Sequence, residues 1–145
     1  MKFNEFGKEN QTTLLLMHGM CSTWEMSFRT FIELAQKEFH IIAVAADGYD
    51  PENKEIHATT SAHEAEQVAE YLVEHYDGKI DILYGASMGG VYTLELLTDK
   101  RLSFGCIIFL GLLNLGFQRV EVVVIEPKTF YYSIANALSI FPILL

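Results

Sequence analysis

A serine with a glycine two residues away on either side, Gly85-Ala86-Ser87-Met88-Gly89, is the segment of this chain best suited to chemistry. An apolar, strand-like run from Ile80 to Tyr84 precedes it, and a helix-like run from Val91 to Thr98 follows. A serine on a sharp turn between strand and helix presents its hydroxyl beyond the end of the sheet. The glycines let neighbouring segments approach a strained backbone with no Cβ in the way. The first N–H groups of the following helix then point at any anion that forms beside the serine. The chemistry implied is acyl transfer through Ser87. All five histidines, His18, His40, His57, His63 and His75, precede Ser87, whereas the partner histidine of such a serine ordinarily follows it.

A second feature matches the first. His18-Gly19-Met20 breaks the chain directly after the apolar run Thr12 to Met17. Acyl transfer needs two backbone N–H groups to hold the oxyanion. One comes from the residue after the nucleophile, here Met88. The other comes from a loop after an earlier strand, here Met20 or Cys21.

The elements that must position these residues alternate between strand and helix. Thr12 to Met17, Phe39 to Ala46, Ile80 to Tyr84 and Cys106 to Leu110 read as short buried strands. Ser22-Thr23-Trp24-Glu25 and Ser61-Ala62-His63-Glu64 both fit the capping box that opens a helix. Phe28, Phe31, Ile32 and Ala35 follow the first at helical spacing; Ala65, Val68, Ala69, Leu72, Val73 and Tyr76 follow the second. The acidic residues of the second helix read as its wet face. Asp77-Gly78 ends that helix, and the polar segment Tyr49 to Thr60 reads as a loop. The pattern predicts an α/β fold, a three-layer αβα sandwich around a mostly parallel sheet.

Composition bounds the function. The chain has 145 residues, half of them hydrophobic, a net charge of −9 and a pI near 4.9. A single domain spanning 1–145 is expected. The acidic balance argues against nucleic acid. Two cysteines, Cys21 and Cys106, make no disulfide framework, and Met1 to Gly7 lacks the apolar run of a signal peptide. A cytoplasmic protein is expected. Residues 102–145 carry only Arg119, Glu121, Glu126 and Lys128, so the chain divides into an ordinary acidic part and an apolar tail. Within the tail, Val120 to Ile125 has strand character. Thr129 to Leu145 is 17 residues without a charge but holds Ser133, Asn136 and Ser139. It reads as buried core or partner-facing surface and not as a membrane span. No metal-ligand spacing and no phosphate-cradling loop is present, so no cofactor and no metal is expected.

Taken together, Leu14-Leu15-Leu16-Met17-His18-Gly19-Met20 with Trp24, Asp47-Gly48-Tyr49-Asp50, and Gly85 to Gly90 resemble the N-terminal part of an α/β-hydrolase-fold serine hydrolase of the small esterase or lipase kind. The resemblance covers about residues 1–112 and leaves 113–145 as an atypical tail. It implies that Ser87 is the nucleophile, that Met20 and Met88 supply the oxyanion-hole N–H groups, and that the substrate is a small ester or acyl compound. It further implies that His18 props the oxyanion loop and that Asp47 braces the loop after its strand.

The family's order is Ser, then Asp or Glu, then His. Glu126 can occupy the acid position, but no histidine follows it. His57 and His63 flank the loop after the second strand and are candidate substitute bases, read otherwise as solvated residues. The resemblance therefore implies a chain lacking its last strands, cap and catalytic histidine, as a truncated or frameshifted reading would. Two further readings stand beside hydrolysis. One is a catalytically impaired pseudo-hydrolase that binds a partner or self-associates through its sheet edge and apolar tail. The other is a doubly wound domain with an accidental motif, which requires Ser87 to be buried and inert.

Overall fold

The computed structural model describes residues 1–50, 57, 59–110 and the strand at 122–125. The element order is β1 (Lys2–Phe6), β2 (Thr13–Met17), α1 (Trp24–Ala35), β3 (His40–Ala45), α2 (Ser61–Tyr76), β4 (Lys79–Ala86), α3 (Met88–Leu96), β5 (Ser103–Leu110) and β6 (Val122–Ile125). The strands form one sheet in the order β1-β3-β2-β4-β5-β6. The inner four run parallel, and β1 and β6 pair antiparallel at the two edges. The expected α/β sandwich is the architecture observed.

Alternation along the strands builds the three layers. Leu15 and Met17 of β2 and Ile42 and Val44 of β3 face α2 and α3, packing with Val68, Leu72, Tyr92 and Leu96. Leu14, Leu16, Ile41 and Ala43 face the opposite way, onto Phe28 and Ile32 of α1. A strand covered on both faces has no polar side, which is why these runs are apolar throughout. Phe31, placed by its spacing on the buried face of α1, is instead 48% exposed. Among the described residues no helix is long and apolar enough to cross a membrane. Thr129 to Leu145 lies outside the described residues, as does most of the loop after Asp50.

Both helix starts differ from the sequence reading by one residue. Thr23, not Ser22, caps α1, its Oγ1 accepting from the Met26 N–H at 3.2 Å. Thr60, not Ser61, caps α2 through the His63 N–H, also at 3.2 Å. A cap must hold extended backbone angles while its hydroxyl reaches three residues on, and the two threonines hold them. The register of α2 thereby turns Glu64 inward. Glu64 is fully buried, so the reading of the α2 acids as a wet face is corrected at this position.

Strand β1 carries no strong apolar signal in the sequence. Its place is fixed by side chains reaching both faces. Phe3 stacks on Tyr71 with ring centroids 3.7 Å apart, and Phe6 packs against Trp24. Between them Glu5 accepts from Tyr71 Oη at 2.7 Å, Tyr76 Oη at 2.9 Å and His40 Nε2 at 2.7 Å, with Lys8 Nζ 3.2 Å away. One carboxylate thus ties the edge strand to both β3 and α2.

Candidate functional site

Strand β4 ends at Ala86 and helix α3 begins at Met88, leaving Ser87 alone at the turn. Its backbone sits at φ 50°, ψ −111°. An L-residue held there stores about 1–3 kcal/mol of strain. Two backbone hydrogen bonds hold it in place. The Ser87 N–H donates to the Leu110 carbonyl at 2.9 Å, and the Gly90 N–H donates to the Ser87 carbonyl at 2.9 Å. The elbow is thus buttressed by the last parallel strand as well as by its own helix. Ser87 is half-buried, not sealed in the core.

The flanking glycines are required by close approach. A Cβ on Gly89 would run into the carbonyl oxygens of Met17 and His18. A Cβ on Gly85 would run into Thr93 Oγ1 and the Gly89 carbonyl. This tight contact brings α3 down onto the end of β2, where the second loop begins. Met88 is the first residue of α3, so its N–H is among the donors that a helix cannot satisfy internally.

The loop after β2 reaches the elbow through Gly19. A Cβ at that position would stand 3.4 Å from Ser87 Cβ and 3.5 Å from the Ala86 carbonyl oxygen. The loop's shape is fixed from behind by His18, which is only 2% exposed. Its Nδ1 lies 2.9 Å from the Gly19 carbonyl oxygen, and its Nε2 lies 3.4 Å from the Ala46 N–H. A carbonyl only accepts and an amide only donates. The network therefore assigns the proton to Nδ1 and the lone pair to Nε2, which is a neutral ring. Burial pushes the His18 pKa below its usual value, against a smaller opposing effect of the Gly19 bond. The peptide joining Gly19 to Met20 is trans, so its C=O and N–H point to opposite sides. Holding the Gly19 carbonyl on the His18 side turns the Met20 N–H away from that ring.

The loop after β3 is braced in turn. The Asp47 N–H donates to Glu64 Oε2 at 3.1 Å, and Asp47 Oδ2 accepts from Gln67 Nε2 at 2.8 Å. Burial alone would raise the Asp47 pKa; hydrogen bonds from the Met1 amino group and Gln67 outweigh it and bring it below the ordinary value. Glu64 Oε1 also accepts from the Thr59 N–H at 3.2 Å and Thr59 Oγ1 at 3.0 Å.

The structure brings Ser87, the Met88 N–H and the loop holding Met20 to one end of the sheet. Among the described residues it does not bring a base to them. His57 is exposed in the loop before α2, and His63 is exposed in the first turn of α2. Among the described residues no side chain hydrogen-bonds Ser87 Oγ. Glu126 lies outside the described residues. Glu64 is the site-end residue the sequence reading missed. The signal was present: Glu64 precedes Val68 by four residues and Leu72 by eight, on the same face as that apolar stripe.

The family model described as the alpha/beta hydrolase family matches residues 14–144. Among solved structures, one similar chain is a putative alpha/beta hydrolase family protein from Desulfitobacterium hafniense. It is 18% identical with a TM-score of 0.69, and the match covers 74% of this chain and 43% of that one. An esterase from Exiguobacterium antarcticum is 20% identical with a TM-score of 0.57, over 74% of this chain and 39% of that one. A laboratory-evolved variant of a potato epoxide hydrolase is 17% identical with a TM-score of 0.58, over 74% and 34%. This chain therefore spans about two fifths of the length of such structures or less. Among curated proteins none matches it. Esterase and epoxide hydrolase share the backbone, so the fold by itself does not choose between chemistries.

Proposed function

The chain belongs to the α/β hydrolase family, and on that premise we propose that it is a serine hydrolase of small ester or acyl substrates. In this reading Ser87 Oγ attacks the substrate carbonyl carbon. The C=O π electrons move to oxygen, and the N–H groups of Met20 and Met88 stabilise the resulting oxyanion. The hydroxyl proton passes to a base, which returns it to the leaving oxygen as the tetrahedral species collapses, so that the alcohol departs and an acyl-Ser87 remains. Water, giving its proton to the same base, then attacks the acyl carbon, and collapse releases the carboxylic acid while Ser87 Oγ takes the proton back. No cofactor enters. His57 and His63 are candidates for the base, and Glu126, outside the described residues, is the candidate for the acid. The unpaired thiols Cys21 and Cys106 go with a cytoplasmic setting.

The observation that carries this reading is the Ser87 backbone, φ 50° and ψ −111°, held where an L-residue is strained, with Gly19 packed against it. Strain of that kind persists only where the surroundings over-determine it, and it clusters at reactive sites.

A second reading is favoured by one observation. Ser87 Oγ has no hydrogen-bond partner among the described residues, and His57 and His63 are both exposed. A catalytically impaired pseudo-hydrolase, acting as a binding or self-associating module, fits that arrangement. Intact mass after treatment with a fluorophosphonate separates the two. Mass gain in the parent chain and none in Ser87→Ala establishes an activated serine. No gain in a well-folded parent chain gives the binding module precedence.

A further inference from the structure

We infer that Glu64 is a positioning residue for the oxyanion hole, acting through the loop after β3 and His18. The inference rests on the serine-hydrolase reading above for its catalytic consequence, but its structural content stands apart from turnover.

Four groups are linked in series between Glu64 and the Met20 N–H. Glu64 is fully buried and uses both carboxylate oxygens as acceptors. Oε1 is held by Thr59, at the entry to α2, and Oε2 takes the Asp47 N–H at 3.1 Å. The next amide back, that of Ala46, donates to His18 Nε2 at 3.4 Å. His18 in turn donates from Nδ1 to the Gly19 carbonyl at 2.9 Å. The Gly19 carbonyl shares its peptide plane with the Met20 N–H. Each link fixes the next, and the chain begins at a carboxylate that is fully buried.

The weakest link is the longest, Ala46 N–H to His18 Nε2. A 3.4 Å contact is sensitive to small displacements of its backbone. Glu64 holds the adjacent amide, so loss of its acceptor releases the strand end on which that contact depends. The His18 ring has no other described partner for Nε2, and the Nδ1 proton is fixed only while Nε2 stays an acceptor. Glu64 is therefore placed to set the ring's tautomer and orientation from one helix away.

The test compares the parent 145-residue chain with Glu64→Gln and Glu64→Asp. The imidazole nitrogens of His18 are read by two-bond proton–nitrogen NMR, and the phosphonylation rate of Ser87 is read by intact mass. The inference expects the Nδ1–H tautomer in the parent chain and a changed Nε2 signal in Glu64→Gln. It expects phosphonylation slowed roughly tenfold, the scale of one lost buried hydrogen bond to a charged group. Glu64→Asp keeps the acceptor pair and restores part of both. An unchanged His18 spectrum and an unchanged rate in a folded Glu64→Gln overturn the inference. Where Glu64→Gln does not fold, Glu64→Asp serves instead, since it draws the carboxylate back from the Asp47 N–H by one methylene; an unchanged His18 spectrum there overturns the inference as well. Should the parent chain not react with the fluorophosphonate, the serine-hydrolase reading fails, and the His18 spectra still decide whether Glu64 controls the ring.

Discussion

Gly19 packs against Ser87 across two loops that are 68 positions apart, close enough that a methyl group on Gly19 would stand 3.4 Å from Ser87 Cβ. That distance is ordinary contact, whereas the methyl on Gly89 would strike the carbonyl oxygens of Met17 and His18. Two glycines at one site thus have different reasons to be glycine. Gly19→Ala should fold with a melting temperature within a few degrees of the parent chain. Gly89→Ala should lose about 1–3 kcal/mol or fail to fold, because backbone cannot rotate away as a side chain can. Thermal unfolding by circular dichroism compares them, and equal melting temperatures would contradict the packing argument.

The strain at Ser87 gives a prediction of opposite sign for stability and chemistry. Ser87→Ala and Ser87→Gly both remove Oγ, so neither should gain mass from a fluorophosphonate. Only glycine relaxes at φ 50°. Ser87→Gly should therefore be about 1 kcal/mol more stable than Ser87→Ala, even though glycine gives the unfolded chain more freedom. Urea unfolding of the two variants measures the difference, and a more stable alanine variant would mean that the elbow stores no strain.

Much of this arrangement is legible in the sequence, and for a definite reason. The strands β2 and β3 are apolar on both faces because the sheet is covered twice there, so each run announces itself. Gly85 and Gly89 mark the elbow because close approach permits nothing larger. Three features escaped. Strand β1 is held by contacts to residues far away in sequence, such as Glu5 to Tyr71 and Phe3 to Tyr71, and local pattern does not contain them. The caps shift by one because Ser22-Thr23 and Thr60-Ser61 each offer two adjacent hydroxyls, and backbone angles choose between them. Charge reads Glu64 as solvent-facing, whereas its spacing puts it on the buried face.

The neutral His18 ring predicts an acid limit. Its folded pKa lies below the unfolded value of 6.5. As pH falls through 6.5 the unfolded chain gains a proton that the folded chain resists, so the stability contributed by the neutral ring is complete above that pH and is lost below it. A protonated ring would also set Nε2–H against the Ala46 N–H, donor facing donor. The melting temperature should accordingly be lower at pH 5.5 than at pH 7.5. His18→Asn can still donate to the Gly19 carbonyl but cannot titrate, so its stability should be flatter over the same range. Melting temperatures of both proteins at the two pH values decide this, and parallel curves would remove His18 as the titrating group.

Glu5 predicts a second acid transition at lower pH and at the other end of the sheet. Burial by itself would raise its pKa, but hydrogen bonds from Tyr71, His40, Tyr76 and Lys8 bring it down to about 2 from 4.5. The direction fixes the sign: the carboxylate's contribution is present above 4.5 and is lost as pH falls toward 2. With the Glu5 side chain only 18% exposed, the shift corresponds to about 3 kcal/mol. Glu5→Gln keeps the size but puts an amide NH₂ in place of one of the two oxygens, each of which accepts from a tyrosine hydroxyl. It should therefore melt several degrees below the parent chain at pH 7, by roughly 6–12 °C for a domain of this size. The gap should narrow steadily between pH 4.5 and pH 2.5, because protonation costs the parent chain what the substitution has already removed. Tyr76→Phe removes one of the donors and should lose a smaller part, about 1–2 kcal/mol at pH 7. A gap that stays constant with pH would show that Glu5 holds β1 by packing alone, leaving the Phe3–Tyr71 stack as the main tie between the edge strand and α2.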